Sequence, residues 1–281
     1  MACTLAVAVG ALYLRSAVLD DTGTSMAGGV HVPGTDVVVG AGSASLSKGN
    51  TGDTHAIWPP VPPDAGERPL GAPPAQNSSS GGFAFLRTVG DSGGSRPVAW
   101  DPCRPIHLVV NGAAAPRGSD QLLREATAQV SSATGLQFVF DGPTTEAPSR
   151  DRAPQDNDRY GNRWSPVLVA WTDPAVVPDL AGSVAGLAGP EEAPYYVASQ
   201  EHWVSGRVNL DGPDLAEVLK RPGGWGRARA VVMHELGHLV GMAHVHEPTE
   251  LMYPEATAQT AFGPGDQEGL RQLGLGPCFT D

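Results

Sequence analysis

Residues 234–244 read HELGHLVGMAH, and this stretch limits the fold more than any other part of the chain. His234 and His238 are four residues apart. On an α-helix that spacing puts two imidazoles on one face, one turn apart, where they can grip one small metal ion. Gly241 follows and lets the chain leave the helix in a left-handed conformation. After that turn His244 can return to offer a third imidazole. Four of the 8 histidines fall in residues 234–246, which makes this crowding the main question the sequence poses.

Three neutral nitrogen ligands leave one position of a tetrahedral zinc ion to water, the arrangement of a catalytic site rather than a closed structural one. Zinc lowers the pKa of such a water and polarises a carbonyl. Glu235 stands beside the first histidine, where its carboxylate reaches the water rather than the metal. It is placed to take the proton during attack and to pass it to a leaving amine. A bare H-E-x-x-H occurs by chance in long sequences. The extended form fixes five residue types over eleven positions and is a far stronger signal. His246 also follows, but His244 has the ligand spacing.

The rest of the chain divides by texture. Residues 1–19 contain the apolar run ACTLAVAVGALYL, 2 to 14, followed by Arg15. The run is too short to span a bilayer comfortably. Its length suits the core of an export signal or signal-anchor, although a basic start and an A-x-A cleavage site are missing. The plainer alternative is an apolar segment with no targeting role. Residues 20–95 are rich in Pro, Gly and Ser, as in WPPVPPDAGERPLGAPPAQNSSSGG, and lack the periodicity needed to bury a face. They are expected to be a mobile linker, with His31 and His55 solvated. Within them FAFLRTV, 83 to 89, is a short strand or a piece that docks on the domain.

From residue 96 to 281 ordinary domain patterning takes over. Strands are expected at 105–111, 136–142, in PVLVAWTDP and in SVAGLAGP. YYVA, 195 to 198, and GRVNLDG, 206 to 212, read as arms of a hairpin. Residues 143–163 are a polar surface loop. A first helix should start at Ser119 as N-cap, bury Leu122, Leu123, Ala126 and Val130, and stop at Gly135. DLAEVLK is a further helix candidate. The longest runs from about Trp225 to Val240, and a last one follows GPGD, residues 263 to 266. This mixture is α/β or α+β around one core, with a twisted mixed sheet, an active-site helix and a C-terminal helix. The net charge of −12 and the lack of a basic cluster argue against nucleic acid as a partner.

HELGHLVGMAH matches the extended H-E-x-x-H-x-x-G-x-x-H signature without a departure, and LMYP at 251–254 offers a Met-turn. In these residues the chain resembles the metzincin zinc peptidases, and Met-Tyr-Pro resembles the matrixin branch. The resemblance covers about residues 97–281 and is strongest over 234–254. It implies a zinc-dependent endopeptidase with His234, His238 and His244 as ligands, Glu235 as base and Met252 beneath the metal. Tyr253 would line the pocket wall beyond the scissile bond. The resemblance also implies an edge strand that binds extended substrate by main-chain pairing. By chain order that strand holds Ala185, Gly186 and Leu187, whose small residues let a peptide backbone approach; the alternative is an ordinary edge strand.

Departures accompany the likeness. His246 and Glu247 stand where small residues are common, and no hemopexin-like repeat follows. No clear structural-zinc or calcium loop is found. Asp211, Asp214 and His202 could contribute to one, but a solvated hairpin is the better reading. Of the three cysteines, Cys103 and Cys278 flank the domain. An upstream cysteine can keep a matrixin latent, but its motif puts glycine next, and here Arg104 follows. With an export segment, a Cys103–Cys278 disulfide is the expectation. The implied partner is a protein or peptide substrate, met by a monomer that is secreted or anchored in the cell envelope, with any membrane contact made only by the N-terminus. Two rivals stay open: a non-catalytic zinc-binding or adhesion module, and a cell-wall amidase with the same metal chemistry. Glu235, present here, is the residue a non-catalytic copy tends to lose.

Overall fold

Residue 167 begins the run VLVAWT, and all six of its side chains are buried. Such a run belongs in the middle of a sheet covered on both faces. The computed structural model, which describes residues 15–18, 59–76, 81–91, 94–192 and 201–279, places it there. In chain order the strands are β1 (Arg15–Val18), β2 (Thr88–Asp91), β3 (Gly94–Pro97), β4 (Ile106–Asn111), β5 (Phe138–Pro143), β6 (Val167–Thr172), β7 (Val184–Glu192) and β8 (Trp203–Asp211). The helices are α1 (Ser119–Thr134), α2 (Asn157–Tyr160), α3 (Gly212–Leu219), α4 (Gly224–Val240) and α5 (Pro264–Leu273). Six strands form one sheet in the order β1-β7-β8-β6-β4-β5. β4, β5, β6 and β8 run parallel to one another, and β7 is antiparallel to β8. The fold is the expected mixed α/β arrangement, with α4 and α5 where the active-site and C-terminal helices were expected.

One face of the sheet holds the main core. Leu122, Leu123, Ala126 and Val130 of α1 and Val232, Leu236, Leu239 and Val240 of α4 pack there with Ile106, Leu108, Val167, Val169 and Trp171. The other face has a smaller apolar patch, Val109, Leu168 and Ala170 with Tyr160. The loop after β5 covers it, so this loop is less of a surface feature than its polarity suggests. Buried Arg152 donates from Nε to Glu146 at 2.7 Å, and from its terminal nitrogens to Ser205 Oγ at 3.0 Å and to the Pro166 carbonyl at 2.6 Å. A guanidinium removed from water needs this many acceptors.

Several expectations need correction. Gly118, in a left-handed conformation, caps α1, and Ser119 is its first helical residue. The partner of the 206–212 strand is β7 rather than YYVA, which lies outside the described residues. β7 is not the sheet edge, because β1 pairs with it in parallel, Ser16 opposite Gly186 and Val18 opposite Ala188. Part of the stretch expected as a mobile linker is packed. Gly66 N–H donates to the Cys103 carbonyl at 2.7 Å and Leu70 N–H to that of Pro102 at 2.9 Å. Phe83, Ala84, Phe85 and Val89 rest on the core, so FAFLRTV docks. His31 and His55 lie outside the described residues. Cys103 and Cys278 form a disulfide, 175 residues apart in sequence, with Cα atoms 5.4 Å apart. Among the described residues no helix is long and apolar enough to cross a membrane.

Candidate active site

α4 packs on β7 and α1 and carries His234, Glu235 and His238 on buried turns. It ends at Gly241, with φ 116°, as the sequence suggests. A β-carbon at that position would also press on Leu273 Cδ2 and Trp203 Nε1, each at 3.1 Å. The turn is braced from outside by the docked 83–89 segment. Leu86 N–H donates to the Gly241 carbonyl at 2.9 Å, and Ala243 N–H to that of Ala84 at 2.8 Å. His244 thereby comes back beneath the helix.

The three imidazoles converge. Nε2 of His234 lies 3.0 Å from Nε2 of His238 and 3.2 Å from Nε2 of His244, and the last pair is 3.1 Å apart. Nδ1 of His234 donates to the Leu251 carbonyl at 2.6 Å, and Nδ1 of His238 to the Met242 carbonyl at 2.9 Å. A carbonyl can only accept, so both protons sit on Nδ1 and both Nε2 lone pairs face inward. Burial, first of all, pushes His234 down to about 3, His238 well below its usual value and His244 down to about 4, with the neighbouring histidines adding to the effect. The imidazoles are neutral at pH 7. Lone pairs crowded at this range repel unless a cation lies among them. Tetrahedral zinc with nitrogens at about 2.0–2.1 Å sets those nitrogens about 3.3 Å apart, close to what is seen. The donor set fits zinc.

His246 is exposed and outside this cluster, whereas His244 lies within it. Among the described residues, the other group of potential ligands is Asp101 with the two disulfide cysteines. Asp211, Asp214 and His202 do not assemble. Asp211 instead caps α3 by accepting from Asp214 N–H at 2.9 Å, and His202 stacks on Phe279 with ring centroids 3.9 Å apart.

Met252 is fully buried under the helix, and its sulfur lies 2.6 Å from where a β-carbon on Gly237 would stand. Glycine in the helix interior is what lets the Met-turn approach. Tyr253 is half-buried beside it. Glu235 is fully buried and lies against Gly186 of β7. Ala185 and Leu187 are buried too, and the main chain of β7 along this stretch is paired with β1 on one side and β8 on the other.

Sequence reading missed Asp266. Its carboxylate, on the first turn of α5, accepts from the backbone N–H of Leu251, Met252 and Gly263, the last two at 3.3 and 3.0 Å. Burial raises its pKa to about 6, an effect the three amide donors partly offset and Glu250 reinforces. An acid three residues after Gly263, the N-cap of α5, was a visible cap signal. Its hold on the Met-turn was not visible.

A neutral three-histidine pocket on a glycine-ended helix, with a buried glutamate beside it and a methionine turn beneath, defines a zinc metallopeptidase-type site. Residues 191–273 match the family model "Peptidase_M10: Matrixin". They include α4, all three histidines, the Met-turn and α5, so it is this part of the chain that is similar to matrixins. No curated protein matches the chain. Among solved structures, archaemetzincin from Methanopyrus kandleri is similar over 60% of this chain and 95% of its own, at 13% identity and a TM-score of 0.38.

Proposed function

We propose that this chain is a zinc-dependent endopeptidase that cuts extended polypeptide. The observation that carries the reading is the meeting of three unprotonated Nε2 atoms within 3.0–3.2 Å beside a fully buried glutamate. His234, His238 and His244 would hold the ion, which supplies an acidified water and polarises the scissile carbonyl. The protein's own groups do the rest. Glu235 accepts a proton on its carboxylate as water attacks, then delivers it to the departing amine nitrogen. The Leu251 and Met242 carbonyls hold two imidazoles in the tautomer that leaves Nε2 free. Met252 fills the floor. Tyr253 borders the far side of the pocket; the outer main chain of β7 over Val184–Ala188 is paired by β1, so a substrate strand would add there only once β1 is displaced.

The disulfide between the two ends of the domain favours an oxidising compartment, and we take the protein to be secreted or held in the cell envelope. We take it to act as a monomer on protein or peptide substrates. The test is hydrolysis of a casein-like unfolded substrate by the full chain, followed by mass spectrometry of the products. Cleavage should stop on chelation and return with zinc. Zinc-loaded protein that cuts no peptide bond would favour the adhesion-module reading, and hydrolysis of amide bonds in cell-wall fragments alone, releasing free amines, would favour the amidase.

A further inference from the structure

We propose that Gly186 is the positioning residue for the Glu235 carboxylate. The inference rests on Glu235 being the base and adds what sets its place. A β-carbon built on Gly186 would stand 2.6 Å from Glu235 Cγ, 2.7 Å from Cδ and 2.7 Å from Oε1. Real β-carbons do not come that close to anything. The backbone does not need glycine there. Its φ lies outside the positive range, unlike Gly241, and it pairs regularly with Leu210 of β8, while on its other side it faces Ser16 of β1 next to a register shift. The missing side chain therefore serves space, and the group that takes the space is the glutamate. Glu235 cannot swing outward cheaply. It is fully buried on a helix turn fixed at both neighbours, by the His234 bond to Leu251 and by Leu236 in the core. The carboxylate thus lies against β7, and Gly186 sets its distance from that strand.

The role differs from letting a substrate backbone approach, and kinetics separate the two. Gly186→Ala should keep zinc content and fold while kcat falls on the order of 10²-fold with KM nearly unchanged, since a displacement of about 1 Å in a reacting group costs that much. Glu235→Asp removes one methylene from the crowded space. In that background the alanine should cost less than about threefold. A rise in KM at constant kcat, or the same loss in the aspartate background, would overturn the proposal. Should Gly186→Ala fail to fold, the double variant decides: folding restored by Glu235→Asp supports the contact, and continued misfolding refutes it. A fully active Glu235→Ala protein sinks the base itself, a result these cycles keep distinct.

Discussion

Nδ1 of His234 donates to the carbonyl oxygen of Leu251 at 2.6 Å. Leu251 N–H in turn donates to the carboxylate of Asp266. An imidazole on α4 that is proposed to hold zinc is thus tied through one residue, Leu251, to an acid on α5, 32 residues further along the chain. Ring orientation at the metal depends on the seating of the C-terminal helix.

That link makes Asp266 a pH-sensitive brace. Its folded pKa is about 6, against an ordinary value near 3.9. Between the two the native state holds a proton that the unfolded chain has lost, so stability falls as pH rises from about 4 to about 6 and is level beyond. Asp266→Asn should remove that slope, on the order of 2 kcal/mol across the window, from the difference between parent and variant. Urea titrations of both proteins at pH 4, 5, 6 and 7 in excess zinc check it. Parallel curves would show that this carboxyl is not the source.

The ligand set predicts a sharp asymmetry between neighbours. His244→Ala should lose most of its zinc, while His246→Ala, an exposed position, should keep it. Metal analysis after dialysis against weak chelator reads the result, and zinc retained by the first but lost by the second would reverse the assignment.

Glu235→Ala should bind zinc as the parent does and lose about 10²–10⁴-fold in peptidase activity, the usual worth of a general base. Undiminished turnover would move the proton transfer to another group.

Met252→Leu nearly conserves volume beneath α4. It should cost under about 1.5 kcal/mol and leave zinc in place. Apo protein from this variant would mean that the sulfur, not the bulk, matters.

Opening the Cys103–Cys278 bond by Cys278→Ser frees a loop of 175 residues. The chain-entropy account values the closure at roughly 5 kcal/mol before native-state effects. Thermal unfolding with and without reductant measures it, and an unchanged midpoint would show that packing alone holds the two ends together.

Local chemistry was legible, and long-range packing was not. The i, i+4 histidines and Gly241 act within a few residues, so α4 and its exit could be read from the letters. β6 was equally plain, since six buried residues in a row leave no other place for them. The 59–76 and 81–91 stretches have no period because they are held by main-chain bonds, such as Gly66 to Cys103 and Leu86 to Gly241, that do not depend on the side chain. Ser119 looked like a cap because serine's hydroxyl suits one. Gly118 took the place by adopting φ 88°, which the letters do not favour over the serine. Gly186 looked like room for a substrate because its true neighbour, Glu235, lies on an element 49 residues on.

β1 sets a condition on maturation. The outer main-chain groups of β7 are matched by Arg15–Val18, residues that also belong to the stretch expected to direct export. A molecule shortened at residue 19 cannot contain that strand. It would have five strands in the sheet and an open rail on β7, ready to accept any extended chain, whether a peptide to be cut or the same edge of another copy. If residues 1–19 are the export segment proposed for this chain and are removed, their removal and the exposure of an adhesive sheet edge would be a single event, and solubility afterwards would depend on how soon that rail finds an occupant.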